Sequence, residues 1–358
     1  MSNLGILVTN LQQEQEYFAQ IARSASGKNF NLYLFSPNDI ELTHKMAKGK
    51  RFCHDSDNWI TDVFSLPEFI YDRCFYTNQI IYEKHFPIVS WLKSQPDILF
   101  LGHGLPNKWI VYQILNRDSW MQTFLPETVL LTTSSQVFSI LGKQTAILLK
   151  PLSGSQGKGI FVLTKTAEGF SLLAKKTGQP YYKQLTKNQL KHLLYKITSQ
   201  HQYLIQPFLS LTDHQHRPFD LRIFLQKDSN GAWREIGRGI RRGRKGDFTS
   251  NLGSGGSVSS FDDWFQSLAS AAQIELQKNI TDLCIRIPQL LETDSQRLFE
   301  LGLDFGFDHQ GSLWLLEANS KPGRKVVTSH SPSQKEILAK APIEYCEFLQ
   351  RSLIKKGS

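Results

Sequence analysis

Four cysteines, Cys53, Cys74, Cys284 and Cys346, are scattered through 358 residues, and no two form a C-x-x-C pair. That spacing excludes a disulfide framework and a zinc knuckle, and it suits buried thiols in a reducing compartment. Cys53-His54 with Cys74 also lacks the spacing of a metal site. Long apolar runs are missing, since nothing approaches the roughly 20 residues that cross a bilayer. The run Leu4–Val8 is too short for a signal peptide and has no basic leader, so a soluble, cytoplasmic chain without membrane contact is expected. Repeats, low-complexity tracts and charged tails are absent. So is the Walker pattern G-x-x-x-x-G-K-S/T, which excludes the commonest phosphate loop. Acidic residues are the minority, 32 against 41 Lys and Arg, giving a net charge of +9. That surplus favours anionic ligands such as phosphates, carboxylates or nucleic acid.

Hydrophobic residues make up 40% of the chain and charged ones 20%, the balance of a globular protein large enough for two or three lobes. Leu4–Val8 is a short buried strand, Gln12–Ser24 a helix with Tyr17, Phe18 and Ile21 at helical spacing, and Leu32–Phe35 another strand. Such a β-α-β opening is the unit of an open α/β sheet. Strands are expected at Trp59–Phe64, Phe69–Ile70 and Asp97–Leu101, with a helix at Tyr82–Lys93. Gly102-His-Gly-Leu-Pro106 marks a loop and a domain boundary. Beyond it Asn107 caps a helix, and further helices are expected at Ser134–Leu141, Leu185–Lys196, Ser267–Leu291 and Ser333–Leu353.

The stretch Glu300–Arg324 organises the rest. Two apolar runs, Leu301–Phe307 and Ser312–Leu316, flank the polar turn Asp308-His-Gln-Gly311, which predicts a β-hairpin. With Phe307 and Ser312 flanking the turn, Asp304 falls opposite Leu315 and Glu317 one diagonal step away. Alternation then projects Asp304, Glu317 and Asn319 from one face. Two carboxylates and a carboxamide oxygen form a hard, oxygen-only site of the kind Mg²⁺ prefers when it also carries phosphates. An exposed polar strand end is the blander alternative, but both carboxylates interrupt apolar runs, where an unpaired charge is costly.

A second signal is Lys150-Pro-Leu-Ser153-Gly154-Ser155-Gln156-Gly157-Lys158-Gly159, between apolar strands. A glycine-rich hairpin tip can turn its backbone N–H groups toward phosphates, with Lys150 supplying a point charge. A flexible surface hairpin fits the same composition. Tyr203-Leu-Ile-Gln206-Pro207-Phe208 is a buried strand ending at a hinge-like proline, a backbone suited to the edge of an adenine. Arg217–Lys227 and Gly231–Ile240 form another hairpin around Asp228-Ser-Asn-Gly231. Asp220 and Arg222 share a face there; Asp220 fits an ion pair or a functional role, and Arg222 is expected to bind phosphate. Arg238, Arg241, Arg242, Arg244 and Lys245 precede a second Gly-rich loop containing Asn251, Gly255 and Gly256. No aromatics interleave with these cations as stacking platforms, so a pocket for an anionic small substrate or peptide carboxylate is expected in preference to nucleic acid.

In this order the motifs resemble the ATP-grasp superfamily: Lys150 before a Gly-rich hairpin, Gln206 at the hinge, Arg222 on a strand, the Asn251…Gly256 loop, and Asp304…Glu317-x-Asn319. More closely, Leu4-Gly-Ile-Leu-Val8, Tyr71-Asp-Arg73, Lys108-Trp109, Leu125-Pro-Glu-Thr128, Arg217-Pro-Phe-Asp-Leu-Arg222 and Trp314-Leu-Leu-Glu317-Ala-Asn-Ser-Lys-Pro-Gly323 resemble the YheC/YheD group, described as endospore coat-associated. The resemblance implies an α+β ATP-grasp fold, with two α+β lobes gripping ATP behind an α/β pre-ATP-grasp domain. It divides the chain into residues 1–105, an N-lobe at 106–205 with the Gly-rich hairpin, and a C-lobe at 206–358 with the metal hairpin.

The roles it implies are as follows. Lys108 and Lys150 contact ATP phosphates, with Ser153, Gly154, Ser155, Gln156, Gly157, Lys158 and Gly159 closing over them. Gln206 stands where many relatives carry an acidic residue, and Pro207 and Phe208 line the base pocket. Asp304, Glu317 and Asn319 hold two Mg²⁺ ions, with Glu317 bridging. Arg222 and Arg324 are the catalytic cations, Arg222 facing the γ-phosphoryl group. Arg238, Arg241, Asn251, Gly255 and Gly256 bind the substrate. The implied reaction is ATP-dependent carboxylate–amine ligation through an acyl phosphate, on an amino-acid or peptide-like substrate. A small-molecule kinase and a non-catalytic spore-coat assembly protein, with other coat proteins as partners, are the alternatives.

Overall fold

The computed structural model describes residues 1–154, 157–176, 178–250, 255–294, 297–329 and 332–357. The first sheet comprises β1 (Ser2–Leu7), β2 (Phe30–Glu41), β3 (Met46–Cys53), β4 (Asn58–Ser65), β5 (Phe69–Asp72) and β6 (Leu99–Phe100), with α1 (Gln15–Ser24) and α2 (Gln79–Ser94). Its order is β4-β3-β2-β1-β5-β6. β2, β1, β5 and β6 run parallel, and β3 and β4 extend the edge as an antiparallel hairpin. Leu4, Ile6 and Leu7 are fully buried because both faces of β1 are covered, as parallel sheets require. Phe18 and Ile21 of α1 pack on one face, and Val89 and Leu92 of α2 pack on the other. β3, rich in lysine and arginine, has no apolar run and is absent from the sequence-based expectation.

Asn107 caps α3 (Lys108–Leu115), its side chain accepting from the N–H groups of Trp109 and Ile110, both at 3.1 Å. The second sheet holds β7 (Val129–Leu131), β8 (Ala146–Pro151), β9 (Phe161–Thr166), β10 (Gly169–Lys176), β11 (Gln179–Leu185) and β12 (Tyr203–Pro207). It is antiparallel throughout, in the order β11-β10-β9-β8-β12-β7. α4 (Ser134–Lys143) and α5 (Lys187–Thr198) cover one face, where Ile147, Leu149, Leu163 and Ile205 meet Val137 and Leu190. Alternation therefore turns Lys150, Lys175 and Gln206 to the opposite face.

The third sheet, β15-β14-β13-β16-β17, is built from β13 (Phe219–Lys227), β14 (Trp233–Arg242), β15 (Ser257–Ser259), β16 (Glu300–Phe307) and β17 (Leu313–Asn319). α6 (Phe261–Gln266) and α7 (Ser270–Asp294) cover one face together with α3. Leu221, Ile223, Leu303 and Phe305 there bury themselves against Ile280, Leu283 and Ile114. Each such side chain contributes about 1.5–3 kcal/mol of burial. That apolar face fixes the other one as the place for polar side chains. α8 (Lys325–Thr328) leads into α9 (Pro332–Gly357). α9 returns to the first domain, with Ile343, Tyr345 and Cys346 entering the core that holds Leu4 and Phe18. Among the described residues no helix is long and apolar enough to cross a membrane.

Candidate active site

The β16–β17 hairpin closes around the expected turn, with Gly311 N–H donating to the Asp308 carbonyl at 3.0 Å, but Phe307 pairs with Leu313 rather than with Ser312. Its register differs from the expectation. A bulge between Asp304 and Phe305 pairs Asp304 directly with Glu317, while Phe305 faces Leu315 and Leu316 is the extra residue. Lys150, from the second sheet, donates to the carbonyl of that extra residue at 3.3 Å. The expected shared face survives, because a bulge adds one residue while directly paired residues stay on one side. Gly302 is required beside it, since a Cβ there would sit 2.6 Å from Pro322 and 3.0 Å from the Arg222 guanidinium.

Asp304 is 5% exposed. Arg222 grips it through both oxygens, one of them at 2.7 Å, and Arg241 reaches it at 3.0 Å. Burial alone would raise its pKa, but the two guanidiniums outweigh that and hold it below the ordinary carboxylate range. Arg241 also binds Asp220 in bidentate fashion, at 2.6 and 2.7 Å, and Ser250 donates to the same carboxylate. Asp220 thus pairs with Arg241 on the neighbouring strand rather than with Arg222 on its own.

From across the cleft, Lys108 Nζ lies 3.3 Å from Glu317 and donates to the Gly154 carbonyl at 2.7 Å. Lys150 and Lys108 thus meet the carboxylate hairpin from different elements. Burial, reinforced by the charge of Lys108 and opposed by Glu317, lowers the Lys150 pKa to about 8. Gly154, Gly157 and Gly159 all take positive φ in the loop above it, and Lys158 is exposed at its tip. Ser153 precedes them, and Ser155 and Gln156 lie outside the described residues. Gly157 comes close to Thr249, and Lys175 donates to Asp247 at 2.7 Å and to Thr249 at 2.6 Å, so the glycine-rich lobe is tied to the basic loop of the third sheet.

Among the described residues no cluster of three or more His, Cys, Asp and Glu forms a metal site, and the donors expected for a divalent ion, Asp304, Glu317 and Asn319, would offer oxygen alone. This set fits Mg²⁺ taken up with a nucleotide, because that ion uses one or two carboxylates and fills its shell with phosphate and water. The cations now neutralising the carboxylates are the groups an incoming triphosphate would attract.

A family model described as "YheC/D like ATP-grasp" matches residues 97–349. The chain belongs to this family. It is 34% identical over its full length to "Endospore coat-associated protein YheC" of Bacillus subtilis (strain 168), covering 98% of that protein. It is 25% identical to "Endospore coat-associated protein YheD" of the same organism, across 90% of this chain and 71% of that one. Among solved structures it is similar to a Chryseobacterium gregarium RiPP-associated ATP-grasp ligase in complex with ADP and a leader and core peptide. There the TM-score is 0.54 at 10% identity, with 97% of each chain covered. At that identity the likeness is one of fold, and it makes the ATP-grasp fold of this chain explicit.

Within the YheC/D-like chain, several expected residues stand elsewhere. Arg238 is three positions from Arg241 on one strand, so alternation sends it to the opposite face. There it pairs with Glu235 at 2.5 Å and lies 4.9 Å from the centre of the Phe261 ring. It does not join the substrate group. Arg324, expected as a catalytic cation, is taken up by the junction with the first domain. Its guanidinium donates to Tyr71 Oη at 2.7 Å, pairs with Glu14 and stacks 3.5 Å from the Tyr17 ring centre. Around it Arg73 joins Glu300 and, at 3.0 Å, Glu14, while Tyr71 donates to Glu300 at 2.9 Å.

Gln206 donates to the Thr128 hydroxyl at 2.6 Å, while Pro207 pairs with Ile147 and Phe208 N–H donates to the Ala146 carbonyl at 3.2 Å. Gly255, at φ +86°, packs against the Arg244 guanidinium and leads through Gly256 into β15, and Asn251 lies outside the described residues. Lys175 was passed over in the sequence, and Thr128, Tyr71, Arg73 and Glu300 were noted only as parts of motifs, without these contacts. For Lys175 the usable signal was the period-two alternation of β10.

Proposed function

We propose that the protein is an ATP- and Mg²⁺-dependent carboxylate–amine ligase acting on an amino-acid or peptide-like substrate and associated with the spore coat. The observation that carries this reading is the convergence of Lys108 and Lys150, from two separate elements, on the Leu316–Glu317 edge of a hairpin that also presents Asp304 and Asn319. Lys108, Lys150 and the backbone of Ser153–Gly159 hold the triphosphate. Gln206, its amide N–H₂ engaged by Thr128, offers its carboxamide oxygen to the base amino group between Pro207 and Phe208. Asp304, Glu317 and Asn319 hold Mg²⁺, which when bound neutralises phosphate charge. Arg222, drawn from Asp304 by the nucleotide, faces the γ-phosphoryl group.

A substrate carboxylate oxygen attacks the γ-phosphorus and ADP leaves, giving an acyl phosphate. The amine then attacks the acyl carbon, expels inorganic phosphate and gives up a proton. Phosphoryl transfer of this kind depends on positioning and charge neutralisation, which these side chains supply. The relatives' names support the coat association, and the solved ligase neighbour supports the reaction class.

A non-catalytic coat-assembly role is the second reading, and one observation favours it: Asp304 is already neutralised by two arginines. ADP release, measured with Mg²⁺-ATP and pooled amino acids and short peptides, separates the two. Release that requires both a carboxylate and an amine supports the ligase. Release without an amine points to a kinase. No release with any acceptor, alongside measurable ATP binding, overturns turnover and leaves the assembly role.

A further inference from the structure

The chemistry so far leaves a second cationic group unused, at the carboxyl edge of the first sheet. Asp72 ends β5 beside β1, where the chain changes direction across the sheet. In open α/β sheets that crevice is where ligands bind. Lys321, two residues beyond Asn319, crosses to this crevice and donates to Asp72 at 2.6 Å and to the Cys74 carbonyl at 3.1 Å. Lys93 lies 3.6 Å from the other Asp72 oxygen and donates to the His103 carbonyl at 2.6 Å. Two ammonium groups therefore share one carboxylate, and that second oxygen accepts no hydrogen bond. His103 adds no charge, because burial and the nearby Lys93 and Arg297 lower its pKa to about 4. The surplus is one positive charge, with Lys321 and Lys93 still 20% and 25% exposed.

Beside this surplus stands an aromatic patch. Tyr76 lies 5.8 Å from Lys321 Nζ, edge-on to Tyr82 and Phe86 at 5.3 and 6.2 Å. Tyr82 and Phe86 stack at 4.6 Å and are each 39% exposed. Exposed stacked aromatics next to two ammonium groups that share one carboxylate mark a recognition surface more than a solvated one.

Resting on the ligase reading, we propose that Lys321 and Lys93 anchor a carboxylate of an extended acidic peptide, and that Tyr76, Tyr82 and Phe86 seat an adjoining aromatic or apolar side chain. Chain geometry sets the length. Lys321 is four residues past Glu317, so their Cα atoms are at most about 14 Å apart. An extended peptide covers that in about four residues at roughly 3.3 Å each. A peptide of about four residues is therefore long enough to run from Lys321 to the phosphate site. In such a peptide the anchored carboxylate is a recognition group, and a second carboxylate is the one activated.

Binding measured without nucleotide tests this on the full-length protein. Fluorescence anisotropy would follow two dye-labelled, C-terminally amidated peptides, Gly-Phe-Glu-Gly and Gly-Phe-Gln-Gly. The acidic peptide is expected to bind about tenfold or more tightly. Lys321→Met should erase that preference, and the Tyr82→Ala/Phe86→Ala double variant should weaken both peptides about tenfold while keeping the parent's thermal midpoint. Equal affinity of the parent for both peptides, or no binding of either, overturns the anchor even if a variant misfolds. Preference for the acidic peptide in a protein that never releases ADP would sink the ligase and keep the anchor. Acceptor-stimulated ADP release without that preference would do the reverse.

Discussion

Glu300 and Asp304 stand four residues apart on β16, on the same face of one sheet, and an arginine grips each of them. Their surroundings then diverge. Around Glu300 the first domain closes completely: Tyr71 and Arg73 cap it, and the side chains of Arg73 and Glu300 are 0% and 3% exposed. Across from Asp304 the sheet opens toward the glycine-rich lobe, and Lys108 and Glu317 remain 22% and 32% exposed. A buried ion pair is therefore no mark of function by itself. What separates the two is whether the charges are completed by protein alone or left within reach of a ligand.

Breaking each pair in turn sharpens the contrast. Glu300→Ala removes one of the two carboxylates that balance the buried Arg73 and Arg324, leaving Glu14 alone between them, and should cost about 3–5 kcal/mol of stability, read from the midpoint of urea unfolding. Glu317→Gln removes a half-exposed charge and should change stability by less than about 1 kcal/mol, yet abolish Mg²⁺-dependent ADP release. Equal loss of stability in both variants, or full turnover in Glu317→Gln, would erase the distinction.

A smaller effect belongs to Lys150. Burial brings its pKa to about 8. Phosphate favours the protonated form, so ATP affinity should be greatest below pH 8 and fall as pH rises through it. Lys150→Ala should weaken ATP binding about tenfold at pH 7 and flatten that dependence, as followed by calorimetric titration. Lys150→Arg, charged at every accessible pH, should flatten the profile while retaining affinity. An unaltered pH profile in Lys150→Ala would remove this lysine from the nucleotide site.

Much of the hairpin was legible in the sequence because alternation and turn chemistry are local. Glu317 and Asn319 share a face for that reason, and the bulge brings Asp304 onto it. The bulge that pairs Asp304 with Glu317 was not legible, since no local pattern marks Leu316 as an extra residue. Arg73 and Glu300 are separated by 227 residues, and no local pattern announces that partnership. β11 escaped notice because it is an exposed edge strand, with polar residues and tyrosines where a buried strand would carry an apolar run. α9 was expected as a helix, but which core it would join depended on the burial of Ile343 and Tyr345 against the first sheet.

The least effect is expected at Arg238, and it tests the face assignment directly. Arg241→Ala leaves Asp220 and Asp304 short of their shared guanidinium and should lower both stability and turnover, the buried carboxylates losing more than about 2 kcal/mol of interaction. Arg238→Ala removes a pair with Glu235 and a ring contact on the helix-covered face, together worth about 1 kcal/mol. It should change ATP affinity and ADP release by less than about twofold, an amount within the reach of small packing shifts. Both arginines belong to one basic run, so charge density alone predicts equal losses. Unequal losses, with Arg241 the greater, would mean that strand alternation decides which of two neighbouring arginines the site can use.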